Sequence, residues 1–582
     1  MASEKYDVAI LGSGMMGATL AAILAKNGVR TLLVEQGVHP RFAIGESTVP
    51  ETTFLFRVLA ARYGVPELKN FGTYSLMRRY VGSTSGVKRN FSFVFHRAGE
   101  THRPTACSQM PTLGPPLGPD MHLFRQDADS YLLSVAAAAG AEVRQQTEVT
   151  ELVISDAVHL TTRTGAKFEA EYVVDAGGIN APVARAFGLR ESPSSLRTVS
   201  RTLFTHMIGV KPFDACMSPR SEHGLPSPLS EGTLHHFFEG GWIWVIPFDN
   251  HPASTNRLCS VGLTLDPRIH PPSQDSPEAE FRAFIARFPS IAPQFADATA
   301  IRAWTRSDRV QFSSTRAVGD RFCLVPHAFG FVDPLFSTGL TMSLHAVNML
   351  AWRLIQSKRD GNYGLERFLP IDERVKLNLA YVDQLVSGSY IAFANFHLWN
   401  AWYRVWALGT VYGGTGVMEP LGRFMRTNDP ACFDVCEQAP YQGAQASEFP
   451  QYRVLFDRAR DVLEKVAARA IDYEQASARI FELIRESGLW PRPWGALSNE
   501  VRHPGAFTLP KMGVLANWMT KEAPDFVRRH YFVDFGPKQI FSLLAEDVLS
   551  EAQHDAGSFS ILMRDLVQGY NFDWRRRRSR TS

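Results

Sequence analysis

The chain has 582 residues, 45% hydrophobic and 20% charged, with a formal net charge of +3. This is the composition of a soluble globular protein with chain for several domain-sized units, and it excludes a disordered or fibrous one. The charge is too small to hold nucleic acid or a membrane surface by field alone, so neither is expected as a partner.

Val8 to Ala25 carries no formal charge and is about as long as a short membrane span. It lacks the basic start and cleavage pattern of a signal peptide, and three patterned glycines interrupt it. A buried strand at Asp7 to Leu11, a turn at Gly12-Ser13-Gly14-Met15-Met16-Gly17 and a helix over Ala18 to Asn27 account for it better. Gly28 ends that helix, and Thr31 to Val34 is the next strand, closing at Glu35. The unit is strand–helix–strand of the doubly wound α/β class, and a cytoplasmic location is expected.

Glu51 to Tyr63 reads as an amphipathic helix, and 72–105 as loop and strand with Phe91, Phe93 and Phe95 alternating. Ala128 to Gly140 is an alanine-rich helix. Tyr172 to Val174 is a buried strand running into Asp175-Ala176-Gly177-Gly178. Arg201 to Gly209, Thr233 to Phe238, Trp242 to Pro247 and Cys259 to Leu265 read as strands of a second sheet. Phe322 to Pro326 is again a buried strand, with a helix from about Gly339. From about 370 the pattern is mostly helical, notably 451–487 and 538–568. The segment 486–511 reads as a linker, and Arg575 to Arg578 as a solvated tail. The chain therefore divides into a core over 1–370, with sheet segments at about 72–105 and 198–265, and a mainly helical region over 371–582.

Gly12, Gly14 and Gly17 match G-x-G-x-x-G with a strand before, a helix after and Glu35 about 20 residues on, which is the dinucleotide fingerprint. Its glycines let pyrophosphate approach the backbone at a helix N-terminus, and Glu35 would take the ribose hydroxyls. The six cysteines are scattered, and no His or Cys cluster completes a metal site around Cys432 and Cys436. His235 and His236 are adjacent on a strand, so they face opposite ways and cannot share a metal.

The later motifs carry a resemblance. Asp175-Ala176-Gly177-Gly178 and Phe329 to Pro334 resemble the second and third FAD fingerprints of the aromatic hydroxylase superfamily. Arg125 sits where that superfamily often has a flavin-contacting arginine. Trp242-Ile243-Trp244-Val245-Ile246-Pro247 resembles W-x-W-x-I-P of the flavin-dependent halogenases, Gly45 to Pro50 their G-E-S/A-T-x-P, and Asp333 to Gly339 their D-P-L-x-S-T-G. The chain resembles most the branch acting on phenolic polyketides, from about residue 5 to about 480.

The resemblance implies an FAD-binding Rossmann-type domain with an inserted β-sheet substrate domain and a helical C-terminal region. It implies FAD, reduced to FADH2 by a separate NAD(P)H flavin reductase, and chloride or bromide as co-substrate. A flavin C4a-hydroperoxide would oxidise halide to hypohalous acid, relayed by a lysine to an electron-rich aromatic, free or tethered to a carrier protein. Asp175, Asp333, Ser47, Trp242 and Trp244 become cofactor contacts, with Asp333 on the ribityl chain and the tryptophans crowding the flavin. Thr338 and Gly339 would bind halide, with Ser337 assisting catalysis. Phe336 stands where tryptophan halogenases carry a substrate-orienting Glu, which points to a self-activated ring such as a phenol. The register of the tryptophan halogenases puts the lysine at Arg79 or Tyr80; Lys88, before the Phe91 strand, is the lysine of choice. An FAD-dependent aromatic hydroxylase remains the alternative.

Overall fold

A computed structural model describes residues 4–113, 117–495, 497–504, 513–515, 517–531, 533–534 and 536–552. The Arg575 to Arg578 tail, residues 505–511 of the expected linker and the part of 538–568 beyond 552 lie outside the described residues.

The strand Glu4–Leu11 pairs in parallel with Thr31–Val34 on one side and Lys167–Asp175 on the other. Glu142–Arg144 and Phe322–Leu324 extend the parallel sheet at its two sides. Its central strands are buried over 8–11, 31–34 and 172–175, in one core with helices Met15–Lys26 and Thr338–Asp360. The ladder brings Gly12, Glu35, Ala176 and Val325 to the carboxyl edge, where Gly12 N–H donates to the Val34 carbonyl at 2.8 Å and Ala176 N–H to that of Leu11 at 2.8 Å.

The second sheet runs Thr299–Ala300, Arg201–Ile208, Cys259–Leu265, Gly241–Pro247, Thr233–Phe238, Asn90–Phe95 and Cys107–Pro111. All its neighbours are antiparallel except Thr233–Phe238 with Asn90–Phe95. A small ladder, Gly86–Lys88 against Asp120–His122, joins the two regions, and the Ser47 backbone bridges to His122 on its other side.

The helical C-terminal region shares a core with the second sheet. Helix Phe396–Thr427 starts at Asn395, whose side chain caps the His397 and Leu398 N–H groups. Trp399, Trp402 and Trp406 follow at helical spacing, all buried, in one apolar cluster with Phe91, Phe93, Trp242, Trp244 and Phe336. Burial of each such side chain contributes about 1.5–3 kcal/mol.

Three local readings change. The helix expected at Glu51 begins at Pro50 and is buried on nearly all its faces rather than amphipathic, because Phe396–Thr427 and the 444–446 turn cover its outer side. Residues 72–105 contain a helix, Tyr74–Tyr80, capped by the Thr73 hydroxyl. The first helix begins at Met15, inside the glycine motif. Among the described residues no helix is long and apolar enough to cross a membrane.

Candidate functional site

A cleft of about 400 Å³ opens at the carboxyl edge of the parallel sheet, lined by Gly12, Gly14, Glu35, Arg41, Arg125 and His327 among others. Gly12 has φ +106°, and a Cβ there would lie 2.6 Å from the Ala176 carbonyl oxygen, so this turn admits only glycine. The N–H groups opening helix Met15–Lys26 have no side-chain cap, which leaves an anion seat. Burial opposes ionisation of Glu35. Bonds from Gly37 N–H at 2.9 Å and the Ser13 N–H and hydroxyl, with the Arg41 charge, outweigh it and hold the carboxyl below its ordinary pKa. A charged acceptor at the strand end beside an anion seat fits the ribose and pyrophosphate of FAD. Arg125 opens its own helix, braced by Asp129 at 2.8 Å and reaching the Ile44 carbonyl.

In the second and third fingerprints both acidic side chains are bonded to the protein's own groups. The Asp175 carboxylate is taken by the Gly177 and Val183 N–H groups at 2.9 and 2.8 Å, so it shapes the loop and does not line the cleft. Asp333 does not line it either. Its carboxylate accepts from Leu335 N–H, the Tyr390 hydroxyl and the Ser200 hydroxyl at 3.0, 3.2 and 3.3 Å, and burial pushes its pKa up to about 7. The third segment reaches the cleft through His327, one of two histidines, with His96, that the sequence offers as active-site lining or as structural. Its signal is position: it follows the buried strand Phe322–Leu324 and is held neutral by burial, its pKa pushed down to about 4.

His327 also lines a small cavity with Asp333, Thr338 and Gly339. Ser337 has left-handed backbone, φ 54°, and turns the chain into helix Thr338–Asp360. A Cβ at Gly339 would lie 2.6 Å from His327 Nε2. The uncapped first turn of this 23-residue helix thus presents its N–H groups beside an imidazole, a setting for a small anion.

Lys88 is fully buried. Its Nζ donates to Ser47 Oγ at 2.8 Å and to the Thr48 carbonyl at 2.5 Å, and lies 3.2 Å from the Phe91 ring centroid. Burial drives its pKa well below the usual lysine value, against the opposing charge of Asp120. Asp120 pairs directly across the ladder with Lys88, and burial raises its carboxyl to about 7. Ser47, expected on the cofactor, here accepts from this amine. Arg79 lies on helix Tyr74–Tyr80 with its guanidinium over the Tyr80 ring.

Aromatic rings join the amine to the 333–339 loop. Phe91 stacks on His235 and meets Trp406 edge-on. Phe336 stacks on Trp406 at 4.7 Å. Trp242 packs against His235 and Trp244 at 5.4 and 5.6 Å, and the Trp244 indole donates to the Ser260 hydroxyl. Neither tryptophan lines the dinucleotide cleft; both wall the dry aromatic side, Trp242 with Asp333 and Tyr390 beside it. His96 lies away from this site, bonded to His236 at 2.9 Å.

The chain matches the tryptophan halogenase family model over residues 76–400 and an NAD(P)-binding Rossmann-like model over 10–81. It is 43% identical to monodechloroaminopyrrolnitrin halogenase PrnC of Pseudomonas fluorescens, over 93% of this chain and 96% of that one. It is 40% identical to tetracycline 7-halogenase of Kitasatospora aureofaciens, over 89% and 93%. The crystal structure of halogenase PltM in complex with phloroglucinol and FAD superposes with a TM-score of 0.82 at 36% identity, covering 86% of this chain and 99% of that one.

Proposed function

Since the chain belongs to the tryptophan halogenase family, and is a flavin-dependent halogenase of specialised metabolism that uses FAD and a halide on aromatic substrates, we propose that Lys88 delivers the halogen and that the acceptor is a phenolic, polyketide-like ring. The observation that carries this is the Lys88 amine, fully buried and held by two acceptors against an aromatic wall.

Gly12, Gly14, Glu35, Arg41, Arg125 and His327 hold the cofactor in the cleft. Reduced FAD, supplied by a separate NAD(P)H reductase, provides with oxygen the oxidising equivalents that turn halide into hypohalous acid. Thr338 and Gly339 seat the halide on their N–H groups, and Ser337 sets the turn that aims them. Desolvation lowers the Lys88 pKa well below the usual lysine value and so favours the neutral amine, whose lone pair attacks the halogen of hypohalous acid. An N–X bond forms, the O–X bond breaks, and the hydroxide leaves as water with an amine proton. The halogen then passes to the ring carbon and the ring loses its proton. Trp242, Trp244 and Phe336 keep this space dry. Phe336 offers no carboxylate to polarise a substrate, so the ring must be activated by its own substituent. The names of two relatives, with tetracycline and phloroglucinol, support a phenol. Helices Leu369–Ala392, Phe396–Thr427, Pro450–Ala467 and Tyr473–Ser487 cap the aromatic side.

The test is a mass-spectrometric assay with FAD, a reductase with NADH, oxygen, chloride or bromide and a panel of polycyclic phenols. A halogenated phenol that disappears in Lys88→Ala, with FAD binding retained, is expected. Hydroxylated product, or halogenation surviving that substitution, would contradict the reading.

A further inference from the structure

Four buried groups form one hydrogen-bonded chain: Lys88 Nζ to Ser47 Oγ at 2.8 Å, Ser47 Oγ to Thr233 Oγ1 at 2.8 Å, and Thr233 Oγ1 to His122 Nε2 at 3.0 Å. They come from four places in the sequence: the 45–50 stretch, two strands of the small ladder and a strand of the second sheet. At the far end His122 Nδ1 sits 2.9 Å from the Pro247 carbonyl.

That carbonyl fixes the direction of every bond. It can only accept, so Nδ1 carries the ring proton and Nε2 of the neutral ring is an acceptor. Thr233 must then donate to His122, Ser47 must donate to Thr233, and Ser47 Oγ is left as an acceptor towards Lys88. The Thr48 carbonyl is the second obligatory acceptor at the amine. A neutral Lys88 amine has two hydrogens, and both are claimed.

We propose that His122 is a positioning residue for Lys88, acting through Thr233 and Ser47 so that the amine donates both hydrogens and keeps its lone pair for the oxidant. The inference rests on Lys88 being the reacting amine. Without the chain, the Ser47 hydroxyl is free to turn and donate to that lone pair, which masks the nucleophile. Burial pushes His122 down to about 3, so the ring stays neutral and the direction holds at ordinary pH. The ionisable groups facing Lys88 are Asp120 across the ladder, His122 beyond it and His235 on the adjoining strand; the neighbouring Arg89 is paired with Glu231 at 3.0 Å.

Thr233→Val removes the relay hydroxyl at nearly constant volume, and Thr233→Ser keeps it. The full-length protein, labelled at lysine Cε with carbon-13, is titrated by NMR, with the Lys88 signal identified by its absence in Lys88→Met. In Thr233→Val, Ser47 becomes a donor that favours the neutral amine, so the Lys88 pKa should fall by about one unit and kcat about tenfold, the weight of one hydrogen bond. Thr233→Ser should restore both. If Thr233→Val does not fold, His122→Asn keeps a donor to Pro247, is too short to place an acceptor where Nε2 stood, and is read the same way. A Lys88 titration unmoved by breaking the chain, or a loss that Thr233→Ser does not repair, overturns the inference. Halogenation persisting in Lys88→Ala would instead overturn the assignment of the lysine itself.

Discussion

The dinucleotide cleft and the lysine site are built on opposite plans. The cleft is open and local: Gly12, Gly14 and Glu35 lie within 24 residues, on two adjacent strands and their turns. The lysine site is closed, dry and assembled from afar, its amine touching Ser47, Thr48 and Phe91 and facing Asp120 across the ladder. An open cleft can load and release a dinucleotide, whereas a dry amine keeps a lone pair and shields a reactive halogen from water. The two tasks should fail separately, and substitutions can test that.

The largest effect is expected from Gly12→Val. Its branched Cβ meets the Ala176 carbonyl at a left-handed position, so FAD binding, followed by flavin fluorescence, should be lost. Retained affinity would break the assignment of the cleft. Trp406→Ala removes a fully buried ring from the aromatic side and should cost about 3–5 kcal/mol in denaturant unfolding while leaving FAD affinity alone. Glu35→Gln removes a charged acceptor, and FAD affinity should fall about tenfold or more with kcat at saturating cofactor unchanged. If kcat falls as well, the two regions are not independent.

The smallest effect concerns pH. The Asp120 charge raises the Lys88 pKa, so Asp120→Asn should move the acid limb of the kcat profile to lower pH. The same variant reports on stability. The Asp120 pKa is raised to about 7, so the native state holds a proton that the unfolded chain releases near 4. Wild-type stability is therefore lost as pH rises through that window. Asp120→Asn should show a smaller decline in urea midpoint from pH 4 to 8.

This contrast also explains what the sequence makes legible. The fingerprint glycines and Glu35 are contiguous, and their backbone roles fix their spacing. The strands Thr233–Phe238 and Cys259–Leu265 emerge at their full bounds because their apolar runs stop at turns. The helix Pro50–Tyr63 escapes its amphipathic reading because Glu51 is buried for a distant reason, the His345 ring at 2.8 Å and the Gln445 N–H at 3.0 Å. Tyr74–Tyr80 is short and hidden by nearby glycines, although the Thr73 cap is a signal for it. Motif resemblance leads to Lys88, but no spacing rule joins it to Ser47, Thr233 and His122, which meet only through three separate strand pairings. Asp333 is the converse case: a motif singles it out, but its contacts with Ser200, Leu335 and Tyr390 follow from no motif spacing.

The central claim, that oxidant is made at one place and spent at another, is tested most directly by trapping free hypohalous acid with an added dione in Lys88→Ala. The account predicts that the variant, supplied with FADH2, oxygen, halide and the trap in excess, halogenates the trap at close to the wild-type rate of flavin oxidation and forms none of the wild type's regiospecific phenol product. Phenol halogenated as in the wild type, or a variant that makes no oxidant, would contradict it.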